Sequence, residues 1–193
     1  MAESGNADNG ALPELLGRAG RGDGEAFGEV YRRFSPRVFG LCLHLLGSRE
    51  DAEDATSEVF LRVRAALNGY DRSVPFGAWA SSIATNHCLD RLRRRSREIR
   101  LFDAEPIDDV AAAARPSPLE ELMAEEERGT LLRALAALPD RYRVPIALRY
   151  HAELTYAEIA DRLGLTREAV AVNLFRAKQK LRRALVRRPG ETP

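Results

Sequence analysis

The chain has 193 residues, 45% of them hydrophobic and 31% charged. That balance supports a folded core and excludes wholesale disorder, and no run approaches the ~20 apolar residues that would span a membrane. The net charge of +1 hides an asymmetry: Leu101 to Glu127 holds nine acidic residues and one basic one, while Arg128 to Pro193 holds fourteen basic and six acidic. A basic C-terminal part joined to an acidic middle predicts a nucleic-acid-facing domain tethered by a segment that phosphate repels. Two cysteines, Cys42 and Cys88, make no disulfide framework. The polar, acidic start from Met1 to Gly10 lacks the basic and apolar regions of an export signal, which predicts a cytoplasmic location.

In chain order, residues 1–24 read as a tail followed by a short helix over Leu12 to Arg18, with Pro13 in its first turn. From Glu25 the apolar residues Phe27, Val30, Tyr31 and Phe34 share one helical face. Ser35 and Pro36 predict a break there, with Ser35 capping a second helix that continues through Val38, Leu41 and Leu45 to Gly47. Ser48 can cap the next helix, whose first turns carry Glu50, Asp51, Glu53 and Asp54 at the positive helix end. That helix stops near Asn68 and Gly69. A loop, Tyr70 to Pro75, leads to a long helix from Phe76 to about Arg97, apolar at its start and basic at its end. Asp103 to Pro118, rich in Ala, Pro and acids, predicts a flexible linker within 101–127. Leu119 to Leu138 is helical up to Pro139, and three further helices follow to Arg188. No alternating apolar pattern predicts a strand. The expected fold is all-α, with two small helical domains (25–100 and 128–188) joined by the acidic linker, and a short tail at 189–193.

The sharpest local signal starts at Thr155. Thr155 to Glu158 has the form of a capping box. Ile159 and Leu163 give an apolar face, Ala160 is small where a second helix must cross, and Gly164 supplies a left-handed turn residue. Thr166 can cap a helix with Val170, Leu174, Ala177 and Leu181 on one face and Arg167, Asn173, Arg176, Lys178 and Lys180 elsewhere. This pattern predicts a helix-turn-helix with a basic second helix, the geometry that enters a DNA major groove. The bland alternative is an αα-hairpin with a solvated basic face.

Several runs resemble the extracytoplasmic-function (ECF) sigma factor family of RNA polymerase. Asp51 to Leu61 resembles the family's polymerase-binding helix. Phe76-Gly77-Ala78-Trp79, Ile83 to Asn86 and Leu89 to Arg95 resemble its promoter-melting helix. Leu138 to Arg143, Leu148 to Tyr150 and Leu154 to Ala160 resemble its second domain. The resemblance covers about Glu25 to Leu185 in the family's order. It implies that Asp51, Asp54, Glu58 and Phe60 bind polymerase, on the basic clamp helices of the largest subunit, with a second contact to the flap of the other large subunit. Spacing alone puts Asp54 and Glu58 on one face, either for docking or as an ordinary exposed helix start. The resemblance also implies that Tyr70, Asp71, Ser73, Phe76, Trp79, Asn86, Arg91, Arg94 and Arg95 meet the minus-ten element, the loop enclosing a flipped base. By itself Trp79 fits a core position or a place beside unstacked bases. Asn86 has the donor and acceptor to pair with an adenine edge. Thr166, Arg167, Asn173, Phe175, Arg176 and Lys178 would serve the minus-thirty-five element. The family pattern of a basic residue, a serine and an arginine is replaced here by Ala171, Val172 and Asn173, and its usual glutamine by Ser57. An anti-sigma factor is the expected regulator.

No nucleophile and base pair, phosphate loop or His-Glu-x-x-His helix predicts an enzyme, and no cofactor is expected. Cys42, His44, His87 and Cys88 are zinc-type residues, but neighbours one or two apart on a helix diverge, so core cysteines and surface histidines are expected rather than a metal site. The expected function is promoter recognition and melting, as a polymerase subunit, for a stress- or signal-responsive gene set. The alternative is a stand-alone helix-turn-helix regulator.

Overall fold

The computed structural model describes residues 11–95 and 125–186. The predicted tails, the end of the long helix at Arg97, and the linker up to residue 124 lie outside the described residues. Among those described there are eight α-helices, one short 3-10 turn and no strand. α1 spans Ala11–Gly20, α2 Gly24–Leu46, α3 Arg49–Ala66 and α4 Phe76–Arg95; the 3-10 turn is Leu67–Gly69. α5 spans Glu125–Ala136, α6 Asp140–Tyr150, α7 Tyr156–Leu163 and α8 Arg167–Val186.

α2 organises the N-terminal domain. Asp23 caps it by accepting from the Ala26 N–H at 3.0 Å and takes a second bond from Arg18 Nε at 2.8 Å, which ties α1 to its start. The Ala26 N–H and the Arg18 guanidinium hold the Asp23 carboxyl below its usual range. Val30, Val38, Leu41, Cys42 and Leu45 are buried along one stripe, against α3 and α4.

The predicted break at Ser35-Pro36 does not occur, because α2 runs through Pro36. An interior proline costs about 3 kcal/mol through its missing N–H and ring clash. Burial of Val30, Val38, Leu41 and Leu45 is worth roughly 1.5–3 kcal/mol each, and it requires the stripe to stay in register on both sides. The packing outweighs the proline, whose ring is on the exposed side.

The expected caps hold elsewhere. Ser48 accepts from Asp51 N at 3.4 Å, and Gly47 ends α2 in the left-handed region at φ 75°. Cys42 and Cys88 are fully buried side by side between α2 and α4, with Thr56 close to Cys42. The Cys42 sulfur and burial push the Cys88 thiol up. His87, expected at the surface, is 6% exposed, because it faces the α3–α4 seam, where its Nε2 lies 3.6 Å from Glu58.

The C-terminal domain packs α5, α6 and α7 on α8. Leu138, Tyr142, Val144, Leu148, Ile159, Val170, Leu174 and Ala177 form its centre. α5 and α6 also rest on α2, so the two domains share one continuous core. Leu41→Ala should destabilise the N-terminal domain by about 2–5 kcal/mol, the cost of an unfilled cavity in a fully buried stripe; urea denaturation followed by circular dichroism measures it.

Candidate nucleic-acid interface

α3 and α4 lie against each other, and their charges interlock. Arg91 donates to Asp51 at 2.6 Å and stands 3.8 Å from Asp54, while Arg95 reaches Asp51 at 3.7 Å. The acidic run and the arginine run, which sequence reasoning assigned to different partners, brace one another here. Asp51 is the half-buried member, and Asp54 and Glu58 keep most of their side chains exposed. Leu61, 68% exposed, continues their face at steps of four and three. Phe60 is only 3% exposed, edge-on to Tyr31 and Phe27. Phe60, which the resemblance places among the polymerase-binding residues, is buried here and supports Tyr31, which is itself 40% exposed. Ser57 donates to its own helix at the Glu53 carbonyl, 3.1 Å away, so its hydroxyl is satisfied within the chain. Between α2 and α3 a groove of about 310 Å³ is lined by Tyr31, Pro36, Phe39, Arg49, Glu53 and Ser57.

The loop before α4 is pre-shaped. Asp71 accepts from both the Ser73 N–H at 2.9 Å and its hydroxyl at 2.7 Å, an Asx turn that holds the Asp71 carboxyl below its usual range. Tyr70 Oη donates to the Val74 carbonyl, closing the loop on itself. Tyr70, Phe76 and Trp79 form an aromatic cluster with ring centroids 4.7 to 5.6 Å apart. Phe76, expected at the DNA surface, is 3% exposed and packs edge-on against Phe34. It is the floor of the cluster, while Trp79 is half-buried and Tyr70 partly open. Asn86 is exposed on the same helix, seven residues after Trp79.

The helix-turn-helix forms as its spacing predicts. Thr155 and Glu158 close the capping box, and the Thr155 hydroxyl and N–H hold the Glu158 carboxyl below its usual range. Gly164 has φ 67°, a conformation in which a Cβ would be strained. The Thr166 hydroxyl accepts from the Ala169 N–H at 3.1 Å and caps α8. Val170, Leu174, Ala177 and Leu181 face the core. Arg167 is exposed; Ala171, Val172, Asn173, Phe175 and Arg176 are each half-buried, and the Lys178 ammonium lies 5.5 Å from the centre of the Tyr150 ring.

Four residues join the domains: Arg162 and His151, which sequence reasoning passed over, Arg93, and His44, which was expected at the surface and is half-buried instead. Arg162, on α7, donates to Asn86 Oδ1 at 2.8 Å and approaches Ser82 Oγ at 3.5 Å. Arg93 donates to the Arg162 carbonyl at 2.8 Å. His44 and His151 stack with centroids 3.6 Å apart. These pairs are 69 to 107 residues apart in the chain, and no local periodicity encodes them. Among the described residues no group of three or more His, Cys, Asp or Glu is arranged to hold a metal, and no helix is long and apolar enough to cross a membrane.

Asp51→Asn should remove the α3–α4 brace at a cost of about 0.2–1 kcal/mol, the range for partly exposed ion pairs. A loss of that size in the unfolding free energy measured by urea denaturation, with helix content unchanged, is the expected result.

The comparisons with known proteins fit this arrangement. Residues 30–98 match the family model of Sigma-70 region 2, and residues 128–181 match that of Sigma-70, region 4. The chain is 32% identical over 181 residues to the ECF RNA polymerase sigma factor SigK of Mycobacterium bovis, covering 90% of this chain and 89% of the relative. It is 36% identical over 166 residues to SigE of Mycolicibacterium smegmatis, covering 85% of this chain and 63% of that one. SigW of Bacillus subtilis is 29% identical over 172 residues, 86% of this chain and 91% of its own. The fold matches CnrH, solved in complex with the cytosolic domain of CnrY, with a TM-score of 0.51 and 24% identity over 89% of this chain and 95% of that one. It also matches the sigma factor RpoE of Bartonella quintana, solved with the anti-sigma factor NepR, with a TM-score of 0.53 and 21% identity over 83% of this chain and 97% of that one. The two matched regions, in order, together with a 32% identical relative aligned over 89% of its own length, make this chain a member of the ECF RNA polymerase sigma factors, promoter-recognising factors of transcription initiation.

Proposed function

We propose that the outward face of α3 docks on core RNA polymerase, that loop 70–75 and α4 read and help to melt the minus-ten element, and that α8 reads the minus-thirty-five element of a signal-responsive gene set. The observation that carries this reading is that one helical domain presents two unlike faces. Asp54, Glu58 and Leu61 form an acidic and apolar face on α3, suited to a basic, partly apolar helix of the polymerase clamp. On the other face, Tyr70 of loop 70–75 and Trp79 of α4 offer ring surface on the same side of the domain as the exposed amide of Asn86. The brace between Asp51 and Arg91 couples the two faces mechanically. A stand-alone regulator would leave the first face without a role.

The chemistry is physical rather than covalent. Unpairing and unstacking a base costs a few kcal/mol, and stacking of the extruded base on aromatic side chains offsets about 1–3 kcal/mol of it. The chain would trap the non-template strand as it opens, while bond formation and the catalytic magnesium belong to the polymerase. It is therefore read as a non-enzymatic subunit at work in the cytoplasm. Arg94 and Arg95 at the end of α4 would hold backbone phosphates. In α8, Ala171 and Val172 can meet only a thymine methyl, so base reading would fall to Arg167, Asn173 and Arg176, with Lys178 and the Thr166 cap near phosphate. CnrH was solved with CnrY and the Bartonella RpoE with the anti-sigma factor NepR; we read a partner of this kind, clasping both domains, as the regulator of this chain too.

Asp54→Arg combined with Glu58→Arg should abolish assembly with core polymerase, measured by co-elution in gel filtration, with helicity intact; assembly at wild-type strength would overturn the α3 assignment. Asn86→Ala should alter base preference at a single promoter position, at a cost of about 1–3 kcal/mol, with polymerase binding unchanged. Transcription from a randomised minus-ten library measures it, and a uniform loss across all sequences would make Asn86 structural.

A further inference from the structure

We propose that Tyr142 and Tyr150 are positioning residues for minus-thirty-five binding: each ring holds a lysine ammonium of α8 in place, Lys180 and Lys178 respectively, so that the recognition helix enters its groove with a charge set on either flank. The inference rests on the reading of α8 given above and adds to it Lys180 and the two rings. The Lys178 ammonium lies 5.5 Å from the centre of the Tyr150 ring, and the Lys180 ammonium lies 5.5 Å from that of Tyr142. Both are within the ~6 Å at which a cation is drawn to a ring face. These are the chain's only two lysines, among 30 lysines and arginines together. Among the described residues neither ammonium meets a carboxylate.

Helical spacing puts the two charges on opposite sides. Val170, Leu174, Ala177 and Leu181 form the buried stripe of α8. At about 100° per residue, Lys178 projects roughly 70° to one side of that stripe and Lys180 roughly 90° to the other. α6 packs across α8. Its two tyrosines are separated by about 12 Å along their own helix, close to the ~10–12 Å diameter of a helix with its side chains. One helix can therefore carry a ring to each flank of the other. Tyr142 is 3% exposed and Tyr150 half-buried, so the domain core fixes both rings. A helix lying in a major groove about 12 Å wide has a phosphate strand on each side, and the two ammoniums face those strands.

The chemistry of lysine suits this double duty. Its ammonium is a compact charge with three donors that rotate. A ring face takes one side of it and leaves N–H groups pointing away, toward a phosphate oxygen. A guanidinium would stack flat on the ring with its donors confined to one plane. A lysine stem also loses much rotamer freedom when it is ordered. Ordering it on a ring before DNA arrives removes that cost from association. The need is greatest in this helix, because Ala171 and Val172 offer no polar group to a base edge, and phosphate contacts must then fix its register.

Having only two lysines makes the test direct. Reductive methylation of the full chain with isotope-labelled formaldehyde keeps their charge and gives one NMR methyl signal for each, beside that of the terminal amine. Ring currents should move both lysine signals upfield of free dimethyl-lysine, and Tyr150→Leu should return the Lys178 signal alone. The DNA probe is a set of duplexes enriched from a random pool by the wild-type holoenzyme. On it, Lys178→Gln should lower the slope of log affinity against log salt by about 0.9, one phosphate contact. Tyr150→Leu should weaken binding about two- to tenfold, the cost of ordering one long side chain, and should have no further effect once Lys178 is replaced by Gln. Tyr150→Phe, which keeps the ring, should recover wild-type affinity. Unshifted lysine signals, or an equal loss from Tyr150→Leu with and without Lys178, would overturn the positioning role, while a loss in Lys178→Gln would still uphold the reading of α8. Ring-shifted signals with unchanged affinity and salt slope in Lys178→Gln would overturn that reading, and the proposal with it.

Discussion

The structure depends on the continuity of α2. Its buried stripe from Val30 to Leu45 is the surface on which α1, α3 and α4 are laid, and its last turn carries α5 and α6. A proline in mid-helix would ordinarily end such an element, and here it does not, because the apolar residues on either side of Pro36 bury more free energy than the ring costs. Had α2 broken at Ser35, α3 and α4 would rest on two independent pieces. The brace between Asp51 and Arg91 would then lose its alignment, and the end of α2 could not meet the second domain.

From that platform the charges acquire their meaning. An acidic helix start and a basic helix end are common features, usually solvated. Laid side by side, α3 and α4 neutralise part of each other through Asp51, Arg91 and Arg95, and what remains outward is selective: Asp54, Glu58 and Leu61 on one side, Asn86 and the aromatic loop on the other. Phe60 and Phe76 show the same division of labour. Both stand within functional motifs and both are buried, each supporting a more exposed aromatic neighbour, Tyr31 above one and Trp79 beside the other.

The contacts between the domains belong to a different energetic class from those within them. Inside each domain, fully buried Val, Leu and Ile side chains set the fold, and removing one costs several kcal/mol. Between them lie the apolar side chains of Leu43, Leu132 and Leu135 together with a histidine stack, a guanidinium against a glycine, and exposed hydrogen bonds from Arg162 and Arg93.

Local chemistry was sufficient to read much of this from the sequence. The capping box at Thr155 and Glu158, the left-handed Gly164 and the caps at Ser48 and Thr166 are decided within four residues of chain, and each stands as its spacing predicts. The all-α class follows from helical periodicity for the same reason. The sequence could not say that α2 survives Pro36, since that is a balance between one local penalty and several distant burials. Nor could it say that His87 turns inward, that Phe60 and Phe76 are buried beneath more exposed aromatic neighbours, or that Arg91 is bound to Asp51, forty residues away. The meeting of Arg162 with Asn86 and of His44 with His151 lies furthest from view. Each joins residues more than seventy positions apart, with no period, cap or charge pattern between them, and only the packing of α5 and α6 onto the end of α2 brings them together.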